Sequence, residues 1–321
     1  FMKPGISEAK KKLYTKQHYG LAGEHSAVKI CGWTKKSLHN QGVCYKERFY
    51  GITCHRCMQC TPVLDWCTEN CKFCWRLGSY KNPDLEGWEE PKQIADQMIE
   101  AQRKLLTGFK GDDKTDMRKW EEAQTPSQVA ISLAGEPTIY PKLGELIKEF
   151  HSRGMTTFLV TNGTFPEHLE SMSALPTQLY VTVAAPNKEL LNEICRPNIP
   201  DAWEKLNQTL ELMPELKTRK VIRLTLVKGL NMANVKDYAD LIRKGNPQMV
   251  ECKAYMALGS SRKRLGLEAM PRHHEIRDFS EKLAKELGWK VVDEQPASRV
   301  TLLAKENYDW IRDATKNPYK L

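Results

Sequence analysis

The stretch Cys54–Trp75, CHRCMQCTPVLDWCTENCKFCW, holds six of the chain's ten cysteines within 22 residues. A chain of 321 residues needs no disulfide staples to fold, so cysteines clustered in this way indicate metal. The last three, Cys67, Cys71 and Cys74, have the spacing CxxxCxxC. Three thiolates on one loop can hold three irons of a four-iron, four-sulfur cluster and leave the fourth without a protein ligand. An open iron can bind a substrate or cofactor, much as a catalytic zinc keeps one position free. The competing chemistry is zinc. Cys54/Cys57 and Cys71/Cys74 are CxxC pairs with thirteen residues between them, close to a zinc ribbon, which would make an RNA-binding module and not an enzyme.

Downstream of this stretch the chain alternates between strand and helix signals. A polar loop with Asn82, Pro83 and Gly87 leads to a helix over Pro91–Leu106, where Ile94, Met98, Ala101 and Leu105 recur at helical spacing. Thr107–Ser127 is hydrophilic and reads as a long connection. Strands are expected at 128–134, 156–161, 178–184, 220–227 and 248–256. Helices are expected near 143–152, 201–212, 235–244 and 274–287. Counting 61–66 as a first strand gives six units, which suits an open (βα)6 barrel, an α/β fold of partial TIM type. Ligands of such a sheet bind at the carboxyl ends of its strands. Cys67, Gly135-Glu136-Pro137 and Asn162-Gly163 each follow a strand, so all three converge on one mouth. Residues 1–60, with Cys31, Cys44, Cys54, Cys57 and Cys60 and little periodicity, read as an extension folded around a metal centre. The barrel and a C-terminal extension then occupy 61–321. Cys195 and Cys252 read as small buried residues.

With 40% hydrophobic and 28% charged residues the chain is globular. No apolar run approaches a membrane span and no signal peptide is visible, so a cytoplasmic protein with no membrane partner is expected. Lys and Arg number 49 against 40 Asp and Glu, a surplus that attracts a polyanion. The densest basic loop is Ser260–Arg264, continuing to Arg272-His273-His274, with the N-terminal lysines and Arg118-Lys119 as secondary candidates for phosphate contact.

CxxxCxxC with an aromatic, Phe73, before its last cysteine resembles the radical S-adenosylmethionine superfamily. The resemblance implies that Cys67, Cys71 and Cys74 hold a cluster whose open iron is chelated by the cofactor. It implies that one-electron cleavage then yields a 5′-deoxyadenosyl radical. Gly135-Glu136-Pro137 resembles the superfamily's strand-end motif, whose backbone binds the cofactor's methionine amino group. Asn162 is a candidate for the ribose or carboxylate, against a plain Asn-Gly turn. Thr182 and Arg223 would point into the barrel if their strands alternate.

Upstream, Cys31, Cys44 and Cys57 are spaced by thirteen and thirteen. Together with CMQCTPVLDWCTENCKFCWR this pattern is similar to the archaeal 4-demethylwyosine synthases, tRNA-modifying radical enzymes, and the likeness runs from about Cys31 to the end. It implies a second four-iron, four-sulfur cluster on Cys31, Cys44 and Cys57, and pyruvate as a two-carbon donor to N1-methylguanosine in tRNA-Phe. It implies a Schiff base between pyruvate and Lys46. A solvent lysine or a counter-charge to the cluster is the alternative for Lys46, direct chelation of pyruvate by the second cluster would make the imine unnecessary, and Cys54 or Cys60 could replace Cys57. A flipped base could rest on Trp75 or Tyr45. The electron donor is expected to be a separate flavodoxin- or ferredoxin-like protein, and the chain a monomer.

Overall fold

The computed structural model describes residues 5–76, 86–306, 309–316 and 319, so Asn82 and Pro83 of the expected polar loop lie outside the described residues. One sheet contains β1 (Gly20–Ala22), β2 (Ser26–Val28), β3 (Cys57–Thr61), β4 (Gln128–Ile131), β5 (Thr156–Thr161), β6 (Gln178–Thr182), β7 (Arg219–Leu226), β8 (Met249–Ala254), β9 (Lys290–Gln295) and β10 (Val300–Ala304). β3 to β8 run parallel and lie side by side in chain order, which is the six-unit open barrel expected. Antiparallel β2 and β1 extend the sheet beyond β3, and antiparallel β10 and β9 extend it beyond β8.

Two expectations are corrected. The first parallel strand is Cys57–Thr61, not 61–66. Pro62 has no N–H for the ladder, so the strand ends before it. The polar look of CMQCT reflects a strand with its two faces in different surroundings. The second correction concerns the hydrophilic connection at 107–127, which contains a helix, Met117–Ala123. The Asp116 side chain accepts from the Lys119 amide (3.2 Å) at its start, and the Trp120 indole donates to the Leu106 carbonyl (2.8 Å).

Strand alternation sorts the core into two layers. Met58, Cys60, Val129, Ile131, Leu159, Val181, Leu224, Val250 and Cys252 face the outer helices. Those helices include Pro91–Leu106, Leu143–Ser152 and His273–Leu287, whose apolar faces recur every three to four residues. The opposite set, Phe158, Tyr180, Val221, Met249, Val300 and Leu302, lines the concave face. The helix Tyr45–Tyr50 packs into that concavity through Tyr45, Phe49 and Tyr50. Each such buried side chain contributes roughly 1.5–3 kcal/mol. Behind it, the buried Arg219 guanidinium donates to the carbonyls of Asp313 and Ile311, both at 2.8 Å.

His25, fully buried beside β2, pins the entry to the cysteine stretch. Its Nδ1 meets the Pro62 carbonyl at 2.6 Å and its Nε2 lies 3.1 Å from the Glu89 amide, which donates to it. Burial lowers its pKa, against the opposing pull of Pro62 and Glu89. The unfolded chain therefore binds more protons as pH falls through the ordinary histidine range, and stability is lost in that direction. Urea unfolding at pH 7.5 and 5.5 is expected to show this loss, and His25→Gln is expected to flatten it. Equal pH slopes in the two proteins would refute the assignment.

Candidate active site

At the carboxyl end of β3 the chain turns into the loop that carries Cys67, Cys71 and Cys74. The ends of β4 and β5 hold this loop. Thr61 Oγ1 donates to the Ala134 carbonyl (2.6 Å) and the Glu136 amide donates to the Trp66 carbonyl (2.9 Å). Gly135 has φ +69°, and a Cβ there would lie 1.9 Å from the Val63 carbonyl oxygen. The glycine therefore lets two backbones touch. Gly135→Ala is expected to cost about 2 kcal/mol or more in chemical unfolding. A variant as stable as the parent would show that the contact is dispensable.

Glu136 is buried and ties this end of the sheet together. Its Oε1 accepts from the Thr138 and Thr161 hydroxyls (2.7 and 2.6 Å), and its Oε2 accepts from the Asn162 amide (2.7 Å). Pro137 opens the short turn Pro137–Ile139. Asn162 follows the end of β5 and precedes Gly163, which takes a positive φ of +76°. Its side chain also donates to Thr68 Oγ1 (2.9 Å) and to Cys67 Sγ (3.9 Å), which places it on the cysteine loop. Phe73 packs between the outer core and the cluster around Val227 and Tyr255.

Burial, with Glu136 and Glu69 nearby, raises the Cys67 thiol well above its ordinary value. Cys71 is raised first by a hydrogen bond with Cys195 and then by burial. Cys195 is buried as expected, yet it is not mere filling. Its thiol, that of Cys71 and the Glu69 carboxylate all lie within 4.8 Å of one another. Nothing in the sequence pointed to this contact, because Cys195 lies more than a hundred residues away on the helix Lys188–Cys195. Cys252 fills the outer core.

The second cysteine set lies inside the concave face. Cys31 and Cys44 precede the short helices Gly32–Leu38 and Tyr45–Tyr50. Cys57 opens β3 and packs with the inner cluster. The three thiols interact electrostatically, Cys57 with both Cys44 and Cys31, and burial pushes Cys57 up to about 12. Cys60 faces the outer helices, on the other side of the strand from Cys57. Cys54 hydrogen-bonds Cys44, and this contact, against burial, holds Cys44 near 7. Cys57 stands at the start of β3, about 13 Å along the strand from the end at Thr61 that leads into the Cys67 loop.

The zinc-ribbon arrangement is not assembled among the described residues. Tetrahedral thiolates at about 2.3 Å from zinc lie about 3.8 Å from one another. Among the described residues, the group of three metal-capable side chains this close is Glu69, Cys71 and Cys195. Among the described residues the Cys54/Cys57 and Cys71/Cys74 pairs do not form such a group.

Lys46 lies beside Cys44 and Cys57. It is buried, and its Nζ lies over the rings of Phe158 (5.2 Å) and Tyr180 (4.9 Å). Burial and then Arg223 lower its pKa. Beside it, Arg223 Nη2 meets Glu251 at 2.8 Å and Tyr45 Oη at 2.9 Å, and Tyr50 donates to Glu251 at 2.6 Å. Burial alone would raise the Glu251 carboxyl, yet Arg223, Tyr50 and Lys46 hold it below the usual range. Arg223 points inward as expected. Glu251 and Lys253 were missed, although two charged residues at alternate positions of an otherwise apolar strand were a usable signal. Removing Glu251 leaves Arg223 buried without its ion partner, so Glu251→Ala is expected to cost about 3–5 kcal/mol in unfolding free energy. A loss below about 1 kcal/mol would refute that pairing.

The rim is basic, but several of its charges are committed. Arg264 donates to the Lys72 carbonyl (3.0 Å) and to that of Cys74, strapping the helix Ser261–Leu265 to the cysteine loop. Arg262 and Lys263 are exposed. Lys10 pairs with Asp65, whereas Lys119, on the helix Met117–Ala123 that precedes β4 and so away from this rim, donates to Asn40 (2.6 Å). Trp75 is 40% exposed with the Arg76 guanidinium over its ring. Tyr45 is buried and bound to Arg223 and Glu251, which removes it as a platform for a base.

A family model described as the radical SAM superfamily matches residues 61–242, and one described as wyosine base formation matches 244–305. An S-adenosyl-L-methionine-dependent tRNA 4-demethylwyosine synthase of Pyrococcus abyssi is 52% identical over 95% of this chain and 91% of its own length. The enzyme of the same name from Methanocaldococcus jannaschii is 39% identical over 94% and 97%. A solved structure of TYW1 with a lysine-pyruvate adduct bound superposes with a TM-score of 0.87 at 38% identity, covering 96% of this chain and 99% of that one. With these matches spanning both the barrel and the C-terminal region, the chain belongs to the radical S-adenosylmethionine superfamily and, within it, to the tRNA 4-demethylwyosine synthases.

Proposed function

We propose that the chain condenses N1-methylguanosine, next to the anticodon of tRNA-Phe, with two carbons of pyruvate to form the tricyclic base 4-demethylwyosine. The observation that carries this reading is Lys46, an amine buried beside Cys44 and Cys57 with its pKa lowered. In this reading Cys67, Cys71 and Cys74 hold one four-iron, four-sulfur cluster, and Cys31, Cys44 and Cys57 hold a second. Phe73, Gly135, Glu136, Pro137 and Asn162 form the wall against which S-adenosylmethionine binds. When bound, the first cluster and this cofactor supply a 5′-deoxyadenosyl radical, able to take a hydrogen atom from the N1-methyl group.

The chain's own residues prepare the other partner. Lys46 Nζ attacks the keto carbon of pyruvate. The C–N bond forms and the keto oxygen leaves as water, giving an imine. Arg223, Glu251, Tyr45 and Tyr50 fix the floor beneath it. The outer layer of helices and the Tyr45–Tyr50 helix keep bulk water from the lumen. Exposed Arg262, Lys263 and Trp75 stand at the rim, where a phosphate backbone and a flipped base would meet the chain. Electrons come from a separate flavodoxin- or ferredoxin-like donor, and the chain acts as a monomer. Among the described residues no helix is long and apolar enough to cross a membrane.

The test is binding and turnover with anaerobically reconstituted protein. Affinity for N1-methylated tRNA-Phe that falls steeply with salt is expected. A radical enzyme for a small molecule would cleave the cofactor and show no such affinity.

A further inference from the structure

A second lysine shares the surroundings of Lys46. Lys253 lies on β8 two residues after Glu251 and so faces the same concave side. The two lysines feel the same three groups, Arg223, Glu251 and Cys44. Their nitrogens are held very differently. Lys253 Nζ donates to the Ser298 carbonyl (3.0 Å) and rests on the Tyr45 ring (5.0 Å), which leaves N–H donors pointing elsewhere. Lys46 Nζ makes no hydrogen bond among the described residues and lies only against aromatic faces.

Arg223 would be the usual carboxylate clamp, but its Nε and Nη2 already bind Glu251, and Nη2 also meets Tyr45. Glu251 neutralises that one cation. A lysine without a carboxylate partner therefore remains beside a nucleophilic amine, in a lumen where an unpaired charge is costly.

We propose that Lys253 holds the carboxylate of the 2-oxo acid while Lys46 takes its keto carbon. This rests on the reading of Lys46 given above. Lys46, free of acceptors, swings and bonds. Lys253, anchored at Ser298, stays and points its remaining donors at the acid. The site thereby selects a charged 2-oxo carboxylate over its neutral ester.

The test traps the imine with cyanoborohydride, which adds hydride to the C=N carbon and leaves a stable secondary amine. Reconstituted protein is titrated with pyruvate or with methyl pyruvate, which keeps the keto carbon and lacks the charge, and the modified peptide is read by mass spectrometry. Lys253→Met is expected to raise the half-saturating pyruvate concentration about tenfold to a hundredfold and to leave methyl pyruvate unchanged. Lys253→Arg should recover most of the loss. An unchanged pyruvate dependence, an adduct on Lys253, or equal weakening of both ketones would overturn the assignment. Equal weakening together with lost iron would mean that Lys253 only balances cluster charge. If the parent protein traps no pyruvate at all, the Lys46 reading itself has failed. A normal parent with an indifferent Lys253→Met condemns this proposal alone.

Discussion

Cys57→Ala, purified after anaerobic reconstitution, is expected to keep about four of about eight irons, whereas Cys60→Ala keeps them all. Both residues sit in one five-residue strand, three positions apart. Side chains alternate along a strand, so one faces the lumen with Cys31 and Cys44, and the other is sealed among Met58, Val129 and Ile131. Cys31→Ala and Cys44→Ala should match Cys57→Ala, and Cys67→Ala should lose the complementary set of irons. Cys54→Ala is also expected to retain both clusters. Its thiol hydrogen-bonds Cys44, so its removal should shift the potential of the second cluster and not its iron content. Iron and acid-labile sulfide measured together decide the matter. Loss of all iron from Cys57→Ala, or of half from Cys60→Ala, would mean that the ligands are misassigned.

The second large effect is expected at Lys46. Lys46→Ala should abolish the trapped pyruvate adduct and lower formation of the tricyclic base about a thousandfold or more, as removal of a bond-forming side chain does. Both iron sets and cleavage of S-adenosylmethionine should survive, because Lys46 Nζ sits over Phe158 and Tyr180 and not on the Cys67 loop. Lys46→Arg keeps a charge but cannot form the imine, so it should be as inactive as alanine. Activity retained in Lys46→Arg would assign the side chain to charge balance, with no covalent role.

The barrel was readable because its information is local. TTFLVT at 156–161 and the helix signal at 91–106 matched the observed elements residue for residue, since β-branched runs and helical spacing need no partners to be recognised. CMQCT was not readable as a strand. Its two faces meet different surroundings, and only the fold reveals which is which. The CxxxCxxC spacing of Cys67, Cys71 and Cys74 stood out in the sequence, whereas the grouping of Cys31, Cys44 and Cys57 came from the family resemblance. The pairing of Arg223 with Glu251 and the contact of Cys71 with Cys195 were not, since each joins segments far apart in sequence. The place of the second set also needed three dimensions. The sequence put Cys31, Cys44 and Cys57 in an extension, and the helix that follows Cys44 in fact fills the barrel's concave face.

Transfer of carbon label from pyruvate into tRNA tests the whole most directly. Reconstituted protein, reductant, S-adenosylmethionine and uniformly 13C-labelled pyruvate are incubated with tRNA-Phe carrying N1-methylguanosine, and the nucleosides are read by mass spectrometry. Two labelled carbons are expected in the modified guanine, and none when the tRNA is unmethylated. Both clusters present, cofactor cleaved and no label in the base would contradict the assignment of this site.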